Sequence, residues 1–174
     1  KIYRELGADR MALNKFYDAI NATLTRPYNE VFTNSEKRKG KSFDQRKDSE
    51  SNQAMFEIAE TFLVSEDYDN AIKFYDRLNR LEQLNESDRS VVAYKRGLSH
   101  FRRAVDTIKK DERQKRLDPD AVPTNKSFEQ TPRADFARVK EILGGYGTLY
   151  PTSPYVPETH YLLALSYEQL NQNE

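Results

Sequence analysis

The chain has 174 residues, with 28 Lys and Arg against 28 Asp and Glu, no cysteine, and 32% charged against 37% hydrophobic residues. Zero formal charge argues against general electrostatic binding of nucleic acid, for which a basic excess is expected, and the lack of cysteine excludes disulfides and thiolate metal sites. No apolar run approaches the roughly 20 residues that a membrane-spanning helix needs, and a charged, glycine-poor chain has the composition of exposed helices with narrow apolar stripes.

The chain starts at Lys1 inside a helical pattern, without an initiator Met or a signal-peptide pattern, so its natural start is expected to lie upstream. Residues 1–33 form the first segment. Ile2, Leu6, Met11, Leu13, Phe16, Tyr17, Ile20 and Leu24 recur at mostly helical spacing until Pro27 stops them, predicting one long helix or a broken pair. Ala12, Phe16 and Ala19 have the spacing of the second helix of a degenerate repeat. Residues 34–51 contain almost no apolar side chain except Phe43 and mix both charges, which predicts a flexible linker. The basic cluster Lys37, Arg38, Lys39 and Lys41 within it reads as a solvated loop, because acidic residues flank it and no aromatic platform accompanies it.

The most ordered signal lies in residues 52–84. Met55, Ile58, Ala59 and Phe62 share one face of a first helix, residues 65–67 break it, and Tyr68, Ala71, Ile72, Tyr75 and Leu78 mark a second. Large, small and aromatic residues at these offsets resemble the tetratricopeptide repeat (TPR), although Glu66 stands where that pattern prefers Gly. One such pair cannot bury its apolar face alone, so stacked neighbours are expected.

After a polar turn in which Ser87 or Asp88 is a candidate N-cap, a helix is predicted over residues 90–110. Aligning Gly97 with Ala59 repeats the register of the first helix. Residues 111–131, polar and containing Pro119 and Pro123, read as an insertion between the two helices of this repeat. Helix resumes near Pro132 with Phe136, Val139, Ile142, Leu143, Tyr146 and Leu149 facing inward, and Gly144, Gly145 and Gly147 either permit close approach or end it early. Pro151 and Pro154 precede a last helix in which Leu163, Ala164 and Tyr167 repeat Ile58, Ala59 and Phe62, so the final repeat is expected to be truncated. The fold class expected is all-α, an α-solenoid of TPR-like helix-turn-helix repeats.

Tyr94-Lys95-Arg96-Gly97-Leu98, the Thr131-Pro132 pair and Tyr150-Pro151-Thr152-Ser153-Pro154-Tyr155 resemble the Y-x-R-G-L helix, the T-P junction and the YP-x-S-x-Y turn of the outer-membrane β-barrel assembly lipoprotein BamD (YfiO-like) family. That resemblance covers residues 52–170. It implies a non-enzymatic scaffold on the periplasmic face of the outer membrane, held by a lipid anchor absent from this chain. It also implies partners among the barrel-assembly subunits and unfolded barrel-protein segments. YP-x-S-x-Y also occurs in other periplasmic TPR proteins, so the alternative is an adaptor of another envelope complex, a Tol-Pal-type coordinator or a motor-associated scaffold.

Nothing in the sequence nominates a reaction centre. His100 and His160 are the two histidines, without a second ligand at metal spacing, and His100 occupies the slot of Phe62, which predicts a packed structural residue. Gly144, Gly145 and Gly147 lack the Lys-Ser/Thr of a phosphate loop. No enzyme activity and no cofactor are expected. In stacked TPR pairs the first helices line a concave groove, and internal alignment puts Gln53, Phe56, Glu60 and Leu63, then Val91, Tyr94, Leu98 and Phe101, then Glu158, Tyr161, Leu165 and Glu168 one step off the core stripe. Phe56, Glu60, Leu63, Tyr94, Leu98, Phe101, Tyr161 and Leu165 are the candidate lining of a peptide groove. Packing of Phe56 and Phe101 against neighbouring repeats is the competing reading.

Overall fold

The computed structural model describes residues 6–25, 43–81, 84–118 and 131–171, and every regular element among them is helical. These are α1 (Asp9–Thr25), α2 (Phe43–Val64), α3 (Tyr68–Asn79), α4 (Glu86–Leu117), α5 (Pro132–Leu143), α6 (Tyr146–Leu149) and α7 (Val156–Asn171). The chain divides into two compact units, Lys1–Phe74 and Tyr75–Glu174, with the division inside α3.

In the first unit, a turn at Leu6 and Gly7 precedes α1, and Gly7 takes φ +72°, a conformation open to glycine without a steric penalty. The helical pattern of the N-terminal stretch is therefore broken there, while residues 1–5 and 26–33 lie outside the described ones. Helix α1 packs along α2, and its Ala12 is buried. Phe74 of α3 stacks on Phe62 at 5.8 Å between ring centroids and meets Tyr17 of α1 edge-on at 6.4 Å. Helix α2 begins at Phe43, so the second half of the expected linker is helical. Neither Gly nor Pro interrupts residues 43–64, and Gln, Arg, Lys and Glu are good helix formers. The mixed charge that suggested a connector is equally the composition of an exposed helix. The rest of the expected linker, with its basic cluster, lies outside the described residues.

The α2–α3 turn is a complete Schellman motif. Asp67 N–H donates to Phe62 O at 2.9 Å and Glu66 N–H to Leu63 O at 3.4 Å, closing the end of α2. Asp67 then caps α3, its carboxylate accepting from Asn70 N–H at 3.2 Å and from the Asn70 amide at 2.7 Å. This geometry needs a left-handed residue between them, and Glu66 occupies it at φ +62°. Its Cβ costs energy in that region, roughly 1 kcal/mol or more. Glu66→Gly is therefore expected to stabilise the protein by about 1 kcal/mol, a rise in Tm of roughly 2–4 °C. An unchanged or lower Tm would refute the strain.

In the second unit α4 is longer than its apolar pattern. It starts at Asn85, whose side chain accepts from Asp88 N–H at 2.8 Å, instead of at Ser87 or Asp88. It ends at Leu117, so residues 111–117 of the expected insertion are helix, and residues 119–130 lie outside the described ones. Its last turns are exposed and need no apolar stripe. Lys110 pairs with Asp106 at 2.6 Å, the i,i+4 spacing that supports a solvated helix. Helix α5 opens as expected, with Thr131 accepting from Ala134 N–H at 3.2 Å and Pro132 in the first turn.

Helix α4 packs along α5, and α5 along α7. Their core holds Ala93, Tyr94, Val139, Leu143, Tyr146 and Leu162. Gly97 lets the first two come together: a Cβ there would stand 2.7 Å from Leu143 Cγ. Helix α5 stops at Leu143 and Gly144–Gly145 turn the chain into the one-turn α6, so Tyr146 enters the core from a separate element.

One register expectation is corrected in α7. Thr159, Leu162 and Ser166 are buried, while Ala164 and Tyr167 are exposed. Thr159 Oγ1 donates to Val156 O at 2.8 Å and Ser166 Oγ to Leu162 O at 2.7 Å. A hydroxyl bonded back into its own helix is spent there, so the residue packs as a small apolar one. Thr61 in α2 and Ser99 in α4 are buried in the same way, donating to Glu57 O at 2.7 Å and Lys95 O at 2.8 Å.

Candidate functional site

The residues expected to line one groove fall in both units. In the first, Phe56 and Glu60 on α2 are half-buried and Leu63 is buried. In the second, Tyr94 is buried, and Leu98 and Phe101 pack partly buried on the core cluster. Phe101 meets Phe136 of α5 edge-on at 5.7 Å, which is the packing alternative for that residue. Leu165 is half-buried, and Tyr161 alone of the eight is widely exposed, at 65%. The reason is the arc that α4 buries. With α5 and α7 both against it, the row Tyr94, Leu98, Phe101, spaced by four and three, turns toward protein.

Tyr94 joins two sequence elements that lie far apart in the chain. Its ring stacks on Tyr155 of the Tyr150–Tyr155 turn, with centroids 4.2 Å apart and planes 10° from parallel. Burial, and then a hydrogen bond to Glu158, push its hydroxyl far above the ordinary tyrosine range, so it stays protonated. Tyr146 ties the same turn to the start of α4, donating to Ser90 O at 3.0 Å with Ser153 Oγ 2.8 Å away. Arg96, next to Gly97, pairs with Asp76 of α3 at 2.5 Å.

The most polar buried cluster is His100, Arg103 and Asp135. Asp135, 1% exposed, stands on the first turn of α5 and faces the middle of α4. Its Oδ1 lies 2.7 Å from His100 Nδ1 and accepts from Arg103 Nη2 at 2.6 Å, while Oδ2 accepts from Arg103 Nε at 2.8 Å. Burial acts first, and upward, on the Asp135 carboxyl. The hydrogen bonds from His100 and Arg103 outweigh it, so the group is held below the usual carboxylate range. The expectation of a packed His100 fits its 7% exposure, but its carboxylate partner, 35 residues further on, had no signal in the sequence.

Beside this cluster a cleft of about 830 Å³ opens between the middle of α4, the length of α5 and the last turns of α7. His100 and Arg103 form its inner wall, Arg133, Arg138 and Lys140 its α5 side, and Tyr167 and Leu170 its α7 side. His160, expected at the surface, is exposed and outside the cleft. Among the described residues no group of three or more His, Cys, Asp or Glu could hold a metal ion, and no helix is long and apolar enough to cross a membrane. The cluster's geometry is that of a clamp between two helices, because both oxygens of Asp135 are already engaged.

What the fold defines is an all-helical protein. In comparisons with family models, with curated proteins and with solved structures, nothing matches the chain.

Proposed function

We propose that this chain is a non-enzymatic scaffold of the BamD (YfiO-like) kind, an α-solenoid of TPR-like repeats that holds subunits of the outer-membrane β-barrel assembly machinery at the periplasmic face of that membrane. One observation carries the reading: the two sequence elements most specific to that resemblance interlock. Tyr94 of the Y-x-R-G-L helix stacks on Tyr155 of the YP-x-S-x-Y turn at 4.2 Å, and Gly97 of the same helix leaves room for Leu143 of the helix between them. Tyr94, Gly97 and Tyr155 thus join successive helices, as expected where a pattern specifies how helix pairs stack. The helix pair α2–α3, closed by a Schellman turn and an Asp cap, also supports the reading.

Depletion of the protein in its own cells tests the reading. The steady-state level of folded outer-membrane barrel proteins is expected to fall several-fold, and crosslinked pull-downs are expected to carry a barrel-assembly subunit as the main partner. Unchanged barrel levels would overturn the assignment. Tol-Pal components as the main crosslinked partners would move it to a coordinator of that complex.

A further inference from the structure

We propose that the cleft between α5 and α7 is a docking site for an acidic, partly apolar segment of a partner polypeptide. This does not depend on the barrel-assembly reading, since it rests on the charged and apolar lining of the cleft. The chain as a whole is balanced at 28 cationic and 28 anionic side chains, yet the cleft is lined by Arg103, Arg133, Arg138 and Lys140 against the single carboxylate Glu141. Arg103 is held by Asp135, so Arg138 and Lys140 of α5 are the cations on which docking turns. The first turn of α5, at Thr131 and Arg133, adds the positive end of a helix dipole on the same side.

Two of these cations, Arg138 and Lys140, have contacts that a ligand can replace. Arg138 meets Glu141 at 2.6 Å, but both side chains are more than half exposed, so the pair is weak in water and yields to a better-placed carboxylate. Lys140 lies over the Tyr167 ring at 5.0 Å, so its charge stays at the mouth between the two helices and its ammonium is left without a carboxylate in that contact. Between the cations runs an apolar strip of Ala134 and Ala137 from α5 with Tyr167 and Leu170 from α7. Cations flanking an apolar floor fit a peptide with carboxylates on its edges and aliphatic side chains below. A bare phosphate backbone would use the charges and leave the strip uncovered. Planar guanidinium forks favour paired recognition of carboxylates.

The test uses the full chain and a fluorescein-labelled 14-residue peptide alternating Glu-Asp pairs with Leu, beside its Gln-Asn counterpart and an oligothymidylate of equal charge, read by fluorescence anisotropy at 50 and 500 mM NaCl. The acidic peptide is expected to bind at least tenfold more tightly than the other two at low salt, and to lose most of that preference at high salt. Arg138→Glu with Lys140→Glu is expected to weaken it at least tenfold. Arg138→Gln with Lys140→Gln, which removes charge without adding like-charge repulsion beside Glu141, is expected to weaken it about fivefold and keeps the test open should the reversal fail to fold. Lys109→Glu with Lys115→Glu, on α4 away from the cleft, should change the affinity less than twofold. Equal binding of the Gln-Asn peptide, tighter binding of the oligonucleotide, or an affinity indifferent to Arg138 and Lys140 would each overturn the proposal. So would light scattering that shows a dimer dispersed by the Arg138 and Lys140 changes, because the occupant would then be a second copy of the chain.

Discussion

Asp135→Asn is expected to lower the unfolding free energy by about 3 kcal/mol, the scale seen when one member of a buried ion pair is removed. The carboxylate receives both N–H groups of the Arg103 fork and lies 2.7 Å from His100 Nδ1, at a position 1% exposed. An amide keeps one acceptor oxygen and presents an NH2 where the fork or the imidazole needs an acceptor, so one donor is left without a partner in a buried site. At this chain length, about 3 kcal/mol corresponds to a fall in Tm of roughly 6–12 °C, measurable by calorimetry. The pH dependence gives a second readout. Asp135 is held below its ordinary value in the folded protein, so its ionised form stabilises the fold above the unfolded-state value of roughly 3.9. That contribution is lost as the pH falls through the folded value. The difference between wild type and variant should therefore shrink as the pH falls below about 4. An acid limb identical in both proteins would show that Asp135 does not carry it.

Gly97→Leu is expected to cost about 3 kcal/mol, the upper range for overpacking a filled core. Even the first added carbon has no room: a Cβ at Gly97 would stand 2.7, 2.8 and 2.9 Å from Leu143 Cγ, Cδ1 and Cδ2. Leu143 is 1% exposed and has nowhere to move without disturbing the core. Gly97→Ala is the sharper probe, because in an open helix that change gains about 1 kcal/mol. Here the sign should invert to a loss of about 1–2 kcal/mol. Adding Leu143→Ala should recover part of it, so the double variant is less destabilised than the sum of the singles by about 1 kcal/mol. Strict additivity, or a stabilising Gly97→Ala, would mean that α4 and α5 are not held at this separation.

How much of this was legible in the sequence depends on whether a feature is local. The helix-turn-helix of α2 and α3 could be read because its apolar spacing, its turn and its cap lie within one stretch. Even the misfit at Glu66 was visible as a departure from a pattern that asks for Gly. The same holds for Thr131-Pro132 and for the small residue at Gly97. Helix lengths were not legible at charged ends. Phe43 to residue 51 and residues 111–117 have no apolar period to mark them, and their charged residues suit a loop and a solvated helix equally. The groove residues failed to separate from core for a related reason. Periodicity gives a helix its stripe, but the width of the buried arc is set by how many neighbours it meets.

Propensity, caps and the spacing of apolar side chains act within a few residues, and they make this protein helical and place the α2–α3 turn and the opening of α5. Packing between whole helices settles which polar groups are buried and with whom. It paired His100 and Arg103 with Asp135 across the segment between α4 and α5, and turned Thr159 and Ser166 inward in place of Ala164 and Tyr167. Those outcomes depend on the rotation of one packed helix against another. Such a rotation minimises the energy of many distant contacts together, and no short stretch of sequence holds it.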